Sequence, residues 1–341
     1  NYNFPRLRFS PSTLSAKIGS FVRFLRQGRL VRGYAQQTAR EKSRTKESAI
    51  LDTRNFTALG EARVRALLAA VGGRRVLVVG YLMLDGRVHV RVGLISPEAP
   101  VPVFEVQTED RGLGGAANVA RNLAALGAKP VLAGLVGRDD EGRELVEKCR
   151  GLEIDVAAVV EDPERPTTVK TRIVSRGQQI LRIDRELIKP PEAAVEAELL
   201  ARLREAAARA EAVVLSDYGK GALSPAVCRE VVAAARAGRG IPVVVDPRGT
   251  EWEIYAGATL LKPNAAEAEH YCGLALRSDE ELVGAMQRIR RRTNIPYVLL
   301  TRGEAGMALS GPDEQSGVTF FNARARAVYD VSPANCSRNQ F

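Results

Sequence analysis

Apolar residues in this chain fall into two textures: short continuous runs, and longer stretches where they recur every three or four positions. The runs at Arg75–Gly80 (RVLVVG), 130–135, 212–215, 241–245 and 297–301 read as buried strands, with Leu260-Leu261 a strand end. Helical spacing predicts helices over 118–126, 192–210, 225–237, 267–272 and 279–291. Strands alternating with helices imply a parallel sheet covered on both faces. Two Val-rich regions break the alternation. Residues 87–107, interrupted by three prolines, predict short strands of a subsidiary sheet. Residues 167–184 alternate with period two around Ser175-Arg176-Gly177, which predicts a hairpin. Together these regions predict a small β lid on the main α/β body. Apolar runs such as Val76 to Gly80 are strand-sized, far short of the roughly 20 residues of a membrane helix.

Charge changes the picture only at the start of the chain. Of a formal net charge of +10, residues 1–50 carry 11 basic and 2 acidic residues, and the remainder is nearly neutral with 39 and 38. The folded part therefore gives no reason to expect a nucleic-acid partner or a membrane span. Residues 1–40 contain seven arginines and no acid. Leu14, Ile18, Phe21, Val22 and Leu25 fall on one helical face, with Lys17, Arg23 and Arg26 off it. This pattern resembles an organellar transit peptide. The alternatives are a disordered basic extension and translated sequence foreign to the protein. The expected compartment is the cytoplasm, or an organelle if the leader is genuine. Residues 1–60 are read as an extension whose removal leaves the fold intact. Cys149, Cys228, Cys272 and Cys336 are widely spaced, and His89 and His270 have no ligand cluster, which disfavours disulfides and structural zinc.

Three groups of residues carry candidate chemistry. Gly112-Leu113-Gly114-Gly115-Ala116-Ala117-Asn118 opens a helix, where glycines permit close backbone approach to a ligand. A dinucleotide-binding reading of this run is weak, because no clean buried strand precedes it and no acid ends the next strand. Met83-Leu84-Asp85 is expected at the end of the first strand, where a carboxylate can accept bonds from two sugar hydroxyls. The third group comprises Ser216-Asp217-Tyr218-Gly219-Lys220-Gly221, Asp246-Pro247-Arg248, Lys262-Pro263-Asn264 with Glu267, and Thr301-Arg302-Gly303 with Gly306. Each follows a strand, so all are expected along one sheet edge.

These residues resemble the ribokinase-like (PfkB) carbohydrate kinases, and among them the bacterial D-glycero-β-D-manno-heptose 7-phosphate kinases. The resemblance rests on ISPEAPVPV from Ile95, GGAANVARNLAAL from Gly114, PTTVKTR from Pro166, QQILRIDRE from Gln178 and LSDYGKGAL from Leu215. It covers residues 74–332. It implies a three-layer α/β/α sandwich with a mostly parallel sheet and a β lid. It also implies ATP-dependent phosphorylation of heptose 7-phosphate at its anomeric hydroxyl, with Mg²⁺. By the same resemblance, Asp85, Gly114, Gly115 and Asn118 hold the sugar, and Lys170 and Arg172 meet its phosphate. Lys220, Asn264, Glu267, Thr301, Gly303 and Gly306 bind ATP, and Asp246 and Glu267 address the metal, Glu267 through water. A sugar phosphate and ATP are the expected partners, and a homodimer is left open.

Three departures stand out. Tyr81 replaces a common Asp, and Gly86 a usual Arg. After Ser332, where the family continues Gly-Ala-Gly-Asp, the chain reads Pro333-Ala334-Asn335-Cys336. No catalytic base is therefore expected at that point, and the chain is read as a C-terminally truncated or frame-damaged kinase, nearly inert as written. The competing readings are a non-catalytic sugar-phosphate or nucleotide-binding remnant, another PfkB-type sugar kinase, and a binding module acting through residues 1–50.

Overall fold

The computed structural model describes residues 54–55, 60–237, 240–312 and 317–323. The segment read as resembling a transit peptide and the sequence after Ser332 lie outside the described residues. The chain divides into two compact units: residues 75–241, and residues 1–74 with 242–341. Strand β1 (Arg54–Asn55) and helix α1 (Glu61–Val71) belong to the second.

The first unit begins at β2 (Arg75–Gly80), where Val76, Leu77, Val78 and Val79 are all buried. Burial on both faces is what the continuous apolar run required. The lid follows at once, with β3 (Leu82–Ile95) antiparallel to β4 (Pro102–Gly114). These strands are 14 and 13 residues long, not short as the prolines had led us to expect. Pro97 and Pro100 lie in the connecting loop, and Pro102 is the first residue of its strand, so the prolines flank the ladder instead of interrupting it.

Helix α2 (Gly115–Ala125) buries Ala116, Ala117, Ala120 and Leu123, and packs on β2 and on β5 (Lys129–Gly137). Next come α3 (Asp140–Arg150) and β6 (Asp155–Asp162), which the apolar pattern had not announced. Asp139 caps α3 by accepting from the Gly142 amide at 2.8 Å, and the same carboxylate takes the Thr167 amide and hydroxyl at 2.8 and 2.6 Å. Asp162 and Arg165, both buried, pair at 2.6 Å, and Arg165 also donates to the Lys189 carbonyl. These bonds fix the segment leading into the lid hairpin of β7 (Thr168–Ser175) and β8 (Gln178–Arg185). Arg176 and Gly177, both at positive φ, form its two-residue turn.

Helix α4 (Ala193–Arg209) leads to β9 (Ala212–Ser216), and α5 (Pro225–Ala237) completes the unit. The strand order is β9-β2-β5-β6, all parallel, beside the lid order β4-β3-β7-β8. At β6, the end of that order, Arg202 of α4 donates to the carbonyls of Ala157 and Val159 at 3.2 and 2.6 Å.

In the second unit, β10 (Val243–Asp246), β11 (Leu260–Leu261) and β12 (Tyr297–Thr301) are parallel. Helix α6 (Ala265–Cys272) and helix α7 (Asp279–Thr293) each start with a capping box, Asn264/Glu267 and Ser278/Glu281. Strands β13 (Met307–Ser310) and β14 (Val318–Phe321) continue antiparallel, and β1 pairs with β14 at Thr319 and Phe320. Arg54 and Asn55, within the segment read as an extension, pair with β14, and Val64, Leu67 and Val71 of α1 are buried. No helix among the described residues is long and apolar enough to cross a membrane.

Candidate functional site

In the first unit, β3, β4, α2 and β7 converge on Asp85. This residue does not end the first strand, as its position in the sequence had implied. It lies inside β3, in register with Gly112 of β4 and Lys170 of β7. The chain leaves the main sheet at Gly80, and the carboxylate is carried by the lid. Its side chain is 9% exposed, and Oδ1 accepts from Arg172 Nη1 at 2.8 Å. A Cβ at Gly114 would stand 2.7 Å from Oδ2, so only glycine lets the helix start pass this close. Gly115, at φ 58°, turns the chain so that the Ala116 amide reaches the Tyr81 carbonyl at 2.9 Å. One turn on, Arg121 donates to Asn118 Oδ1 at 2.7 Å, leaving the Asn118 amide NH₂ as a donor. The result is a cradle with a carboxylate oxygen that has no hydrogen-bond partner among the described residues, an amide donor and no side chain at 114 or 115. It has the chemistry to hold vicinal hydroxyls.

The expected phosphate pair is arranged differently. Arg172 is committed to Asp85. Lys170 donates to Asp184 at 2.8 Å and to Glu186 at 3.0 Å, because the alternation of β7 puts Lys170 and Arg172 on one face opposite the acids of β8 and the residue after it. Lys220, assigned to ATP by resemblance, joins this cluster at 2.9 Å from the other Glu186 oxygen. The buried Tyr81 hydroxyl bonds with Thr168 and donates to Glu186 at 3.2 Å. Burial pushes the Tyr81 phenol up to about 12, so it stays protonated. Burial raises the Glu186 carboxyl, but bonds from Lys220 and Lys170 outweigh this and hold it below its ordinary range. Sequence reasoning missed Glu186, Thr168 and Arg121. Glu186 closes the QQILRIDRE motif two residues after Asp184, a spacing that already placed both acids on one strand face.

In the second unit, three parallel strands deliver the remaining candidates. Asp246 ends β10 and pairs with Lys262 at 2.8 Å, just beyond β11. Asn264 caps α6 and forms a bridge with Thr301 at the end of β12, where the Thr301 amide donates to the Pro263 carbonyl. Glu267 spends one oxygen on the Asn264 amide and the other on Arg248, at 2.9 and 3.2 Å. The Asn-x-x-Glu element is therefore a helix cap as well as a candidate ligand set. Gly303 and Gly306, at φ 55° and 88°, shape the turn that the Arg302 amide closes onto the Gly306 carbonyl. Among the described residues no three His, Cys, Asp or Glu side chains converge on a metal position.

Comparison with known proteins defines the class. The pfkB family carbohydrate kinase model matches residues 74–334, and the chain belongs to that family. It is similar to the bifunctional protein HldE of Geobacter metallireducens, 44% identical over 271 residues, which is 80% of this chain and 55% of that protein. The HldE protein of Caulobacter vibrioides is 46% identical over 269 residues, covering 78% and 54%. The chain spans about half the length of the curated relatives it matches. Among solved structures it resembles Arabidopsis thaliana ribokinase complexed with ribose and ATP, with TM-score 0.58 and 21% identity over 75% of this chain and 80% of that one. Escherichia coli phosphofructokinase-2 in complex with substrates and products gives TM-score 0.60 and 20% identity, over 78% and 83%. The fold is ribokinase-like.

Proposed function

We propose that the chain is the kinase portion of a heptose 7-phosphate kinase, built to transfer the γ-phosphoryl group of ATP to the anomeric hydroxyl of D-glycero-β-D-manno-heptose 7-phosphate. The observation that carries this reading is the ordered set of motifs around the Asp85 cradle, at 44% identity to a bifunctional relative. In such a reaction the sugar oxygen bonds to phosphorus, the bond to ADP breaks, and the hydroxyl proton passes to a base. Asp85 Oδ2 and the Asn118 amide orient the sugar, and Gly114 and Gly115 let it approach the helix start. Lys170 and Lys220 offer cationic partners for phosphate. Asn264, Thr301, Gly303 and Gly306 supply the nucleotide turn. Mg²⁺, when bound with ATP, neutralises phosphate charge. Asp246 and Glu267, the latter through water, are its candidate ligands; each is now paired with a cation, Lys262 and Arg248, and no three His, Cys, Asp or Glu side chains form a direct metal site among the described residues.

A second reading, a binding-only remnant, is favoured by one observation: Pro333-Ala334-Asn335-Cys336 offers no carboxylate where the family has its base, and Pro333 lacks an amide donor. A general base contributes about 10²–10⁴-fold. One experiment addresses both. The full chain and its Pro333→Gly, Asn335→Gly, Cys336→Asp variant are assayed for transfer of labelled phosphate from ATP to heptose 7-phosphate. The kinase reading expects little transfer by the parent and a gain of about 10²-fold or more in the variant. Binding of heptose 7-phosphate with no transfer by either protein favours the remnant. Absence of binding of both heptose 7-phosphate and ATP refutes both.

A further inference from the structure

We propose that Glu186 is a positioning residue that clamps Lys170 of the lid and Lys220 of the loop after β9 into a single phosphate-reading pair. The inference rests on the sugar-phosphate kinase reading for its ligand, but its geometry stands within one unit of the fold. Each oxygen of the Glu186 carboxylate takes one ammonium, Lys220 at 2.9 Å and Lys170 at 3.0 Å. Two lysines from distant parts of the sequence are thereby brought side by side, against their own repulsion.

The three side chains are only 25%, 12% and 14% exposed, in the order Lys220, Lys170 and Glu186, so their interactions are poorly screened. The cluster nevertheless keeps an excess of positive charge. Lys170, Lys220 and Arg182 face Asp184 and Glu186, because Arg182 also holds Asp184 through two bonds at 2.8 and 2.9 Å. Tyr81, which donates to Glu186, remains a neutral phenol and adds no negative charge. An ammonium has three donors, and Lys220 spends one on Glu186. A phosphoryl group presents paired oxygens much as a carboxylate does, so it fits the same two ammoniums.

The loop carrying Lys220 is itself held. Gly219 and Gly221 take positive φ of 65° and 83°, and a Cβ at Gly221 would stand 2.7 Å from the Lys189 carbonyl, three residues beyond Glu186. Lys170 is fixed by the register of β7 against β3 and β8. Backbone on both sides aims the lysines, and Glu186 sets their spacing.

The test uses the full chain. Isothermal titration compares heptose 7-phosphate, unphosphorylated heptose and ADP against wild type, Glu186→Gln and Glu186→Asp. In parallel, the lysine ammonium NMR signals are followed while inorganic phosphate is added. Glu186→Gln should weaken a phosphorylated ligand about tenfold and leave unphosphorylated heptose unchanged. Glu186→Asp should restore part of the loss. Loss confined to heptose 7-phosphate assigns the pair to the sugar phosphate, and loss confined to ADP assigns it to the nucleotide. Unchanged or tighter phosphate binding in Glu186→Gln would overturn the clamp, since a carboxylate that merely repelled the ligand gives that result. Should Glu186→Gln fail to fold, Lys170→Met and Lys220→Met take its place: non-additive losses on phosphate support the pair, and additive ones overturn it. If wild type binds no heptose 7-phosphate yet inorganic phosphate shifts both ammonium signals together, the substrate reading fails and the clamp stands.

Discussion

Replacing Gly114 with Ala tests the sugar cradle with little interference from backbone strain. Gly114 sits at φ −121°, an ordinary extended conformation, so alanine costs nothing there in dihedral energy. The added Cβ would lie 2.7 Å from Asp85 Oδ2, 3.0 Å from its Cγ and 2.9 Å from Met83 Cγ, where ordinary contact begins near 3.4 Å. The carboxylate must therefore retreat by about 0.7 Å. A shift of that size is enough to break the 2.8 Å bond from Arg172 and to misplace the free oxygen. Losing a charge-assisted bond costs about 1.5–3 kcal/mol, or roughly 10–150-fold in affinity for a ligand that depends on it. Overpacking adds about 1–3 kcal/mol of destabilisation. Urea unfolding followed by circular dichroism reads the second quantity. Calorimetric titration with heptose 7-phosphate reads the first, and ADP serves as the control that should not move. A Gly114→Ala protein with wild-type sugar affinity would refute the placement of Asp85 in the site.

Asp85→Ala should weaken sugar-phosphate binding by about 1–3 kcal/mol, with ADP affinity unchanged in the same titration. Gly306→Ala, at φ 88° and with its Cβ overlapping the Phe321 carbonyl oxygen, should destabilise the chain by about 2–5 kcal/mol in urea unfolding. Burial raises the Asp139 carboxyl, but bonds from Thr167 and Gly142 outweigh it and hold it below its ordinary value of 3.8. Its contribution is thus complete above that value and lost as pH falls through the lower folded one. Asp139→Asn should be destabilised at pH 7 by about 1–2 kcal/mol, and the gap to wild type should close as unfolding is repeated below pH 3.8.

Much of the main fold was legible because buried parallel strands such as Arg75–Gly80 and Ala212–Ser216 are unbroken apolar runs. Helix α3 was not, because its core stripe is thin: Leu145 and Cys149 are buried in a segment otherwise rich in charge. Its signal was electrostatic, with Asp139 as cap, Asp140 and Glu141 in the first turn, and Lys148 and Arg150 in the last. The site was legible as residue types and only partly as roles. Motif resemblance named Asp85, Lys170, Arg172 and Lys220, but could not say that Arg172 serves Asp85 or that Lys220 meets Lys170. Those facts depend on the register of β3 with β7 and on a loop that folds back from β9, pairings across more than 30 residues of chain. The Asn264-x-x-Glu267 element shows the converse difficulty, since one spacing serves both a helix cap and a ligand set.

The Arg202 guanidinium on β6 bears on how this protein behaves among copies of itself. A strand that ends a sheet offers carbonyls to any passing chain, and an apolar strand such as DVAAVVED is a ready template for pairing. Two of those carbonyls are already taken, by a cation from the helix behind the strand, tethered there also by Glu198. A neighbouring chain would have to displace a charged, doubly bonded side chain before adding a strand. The arginine thus guards the strand edge through partners separate from the ligand residues, and its loss would surface first as concentration-dependent aggregation, not as loss of ligand binding.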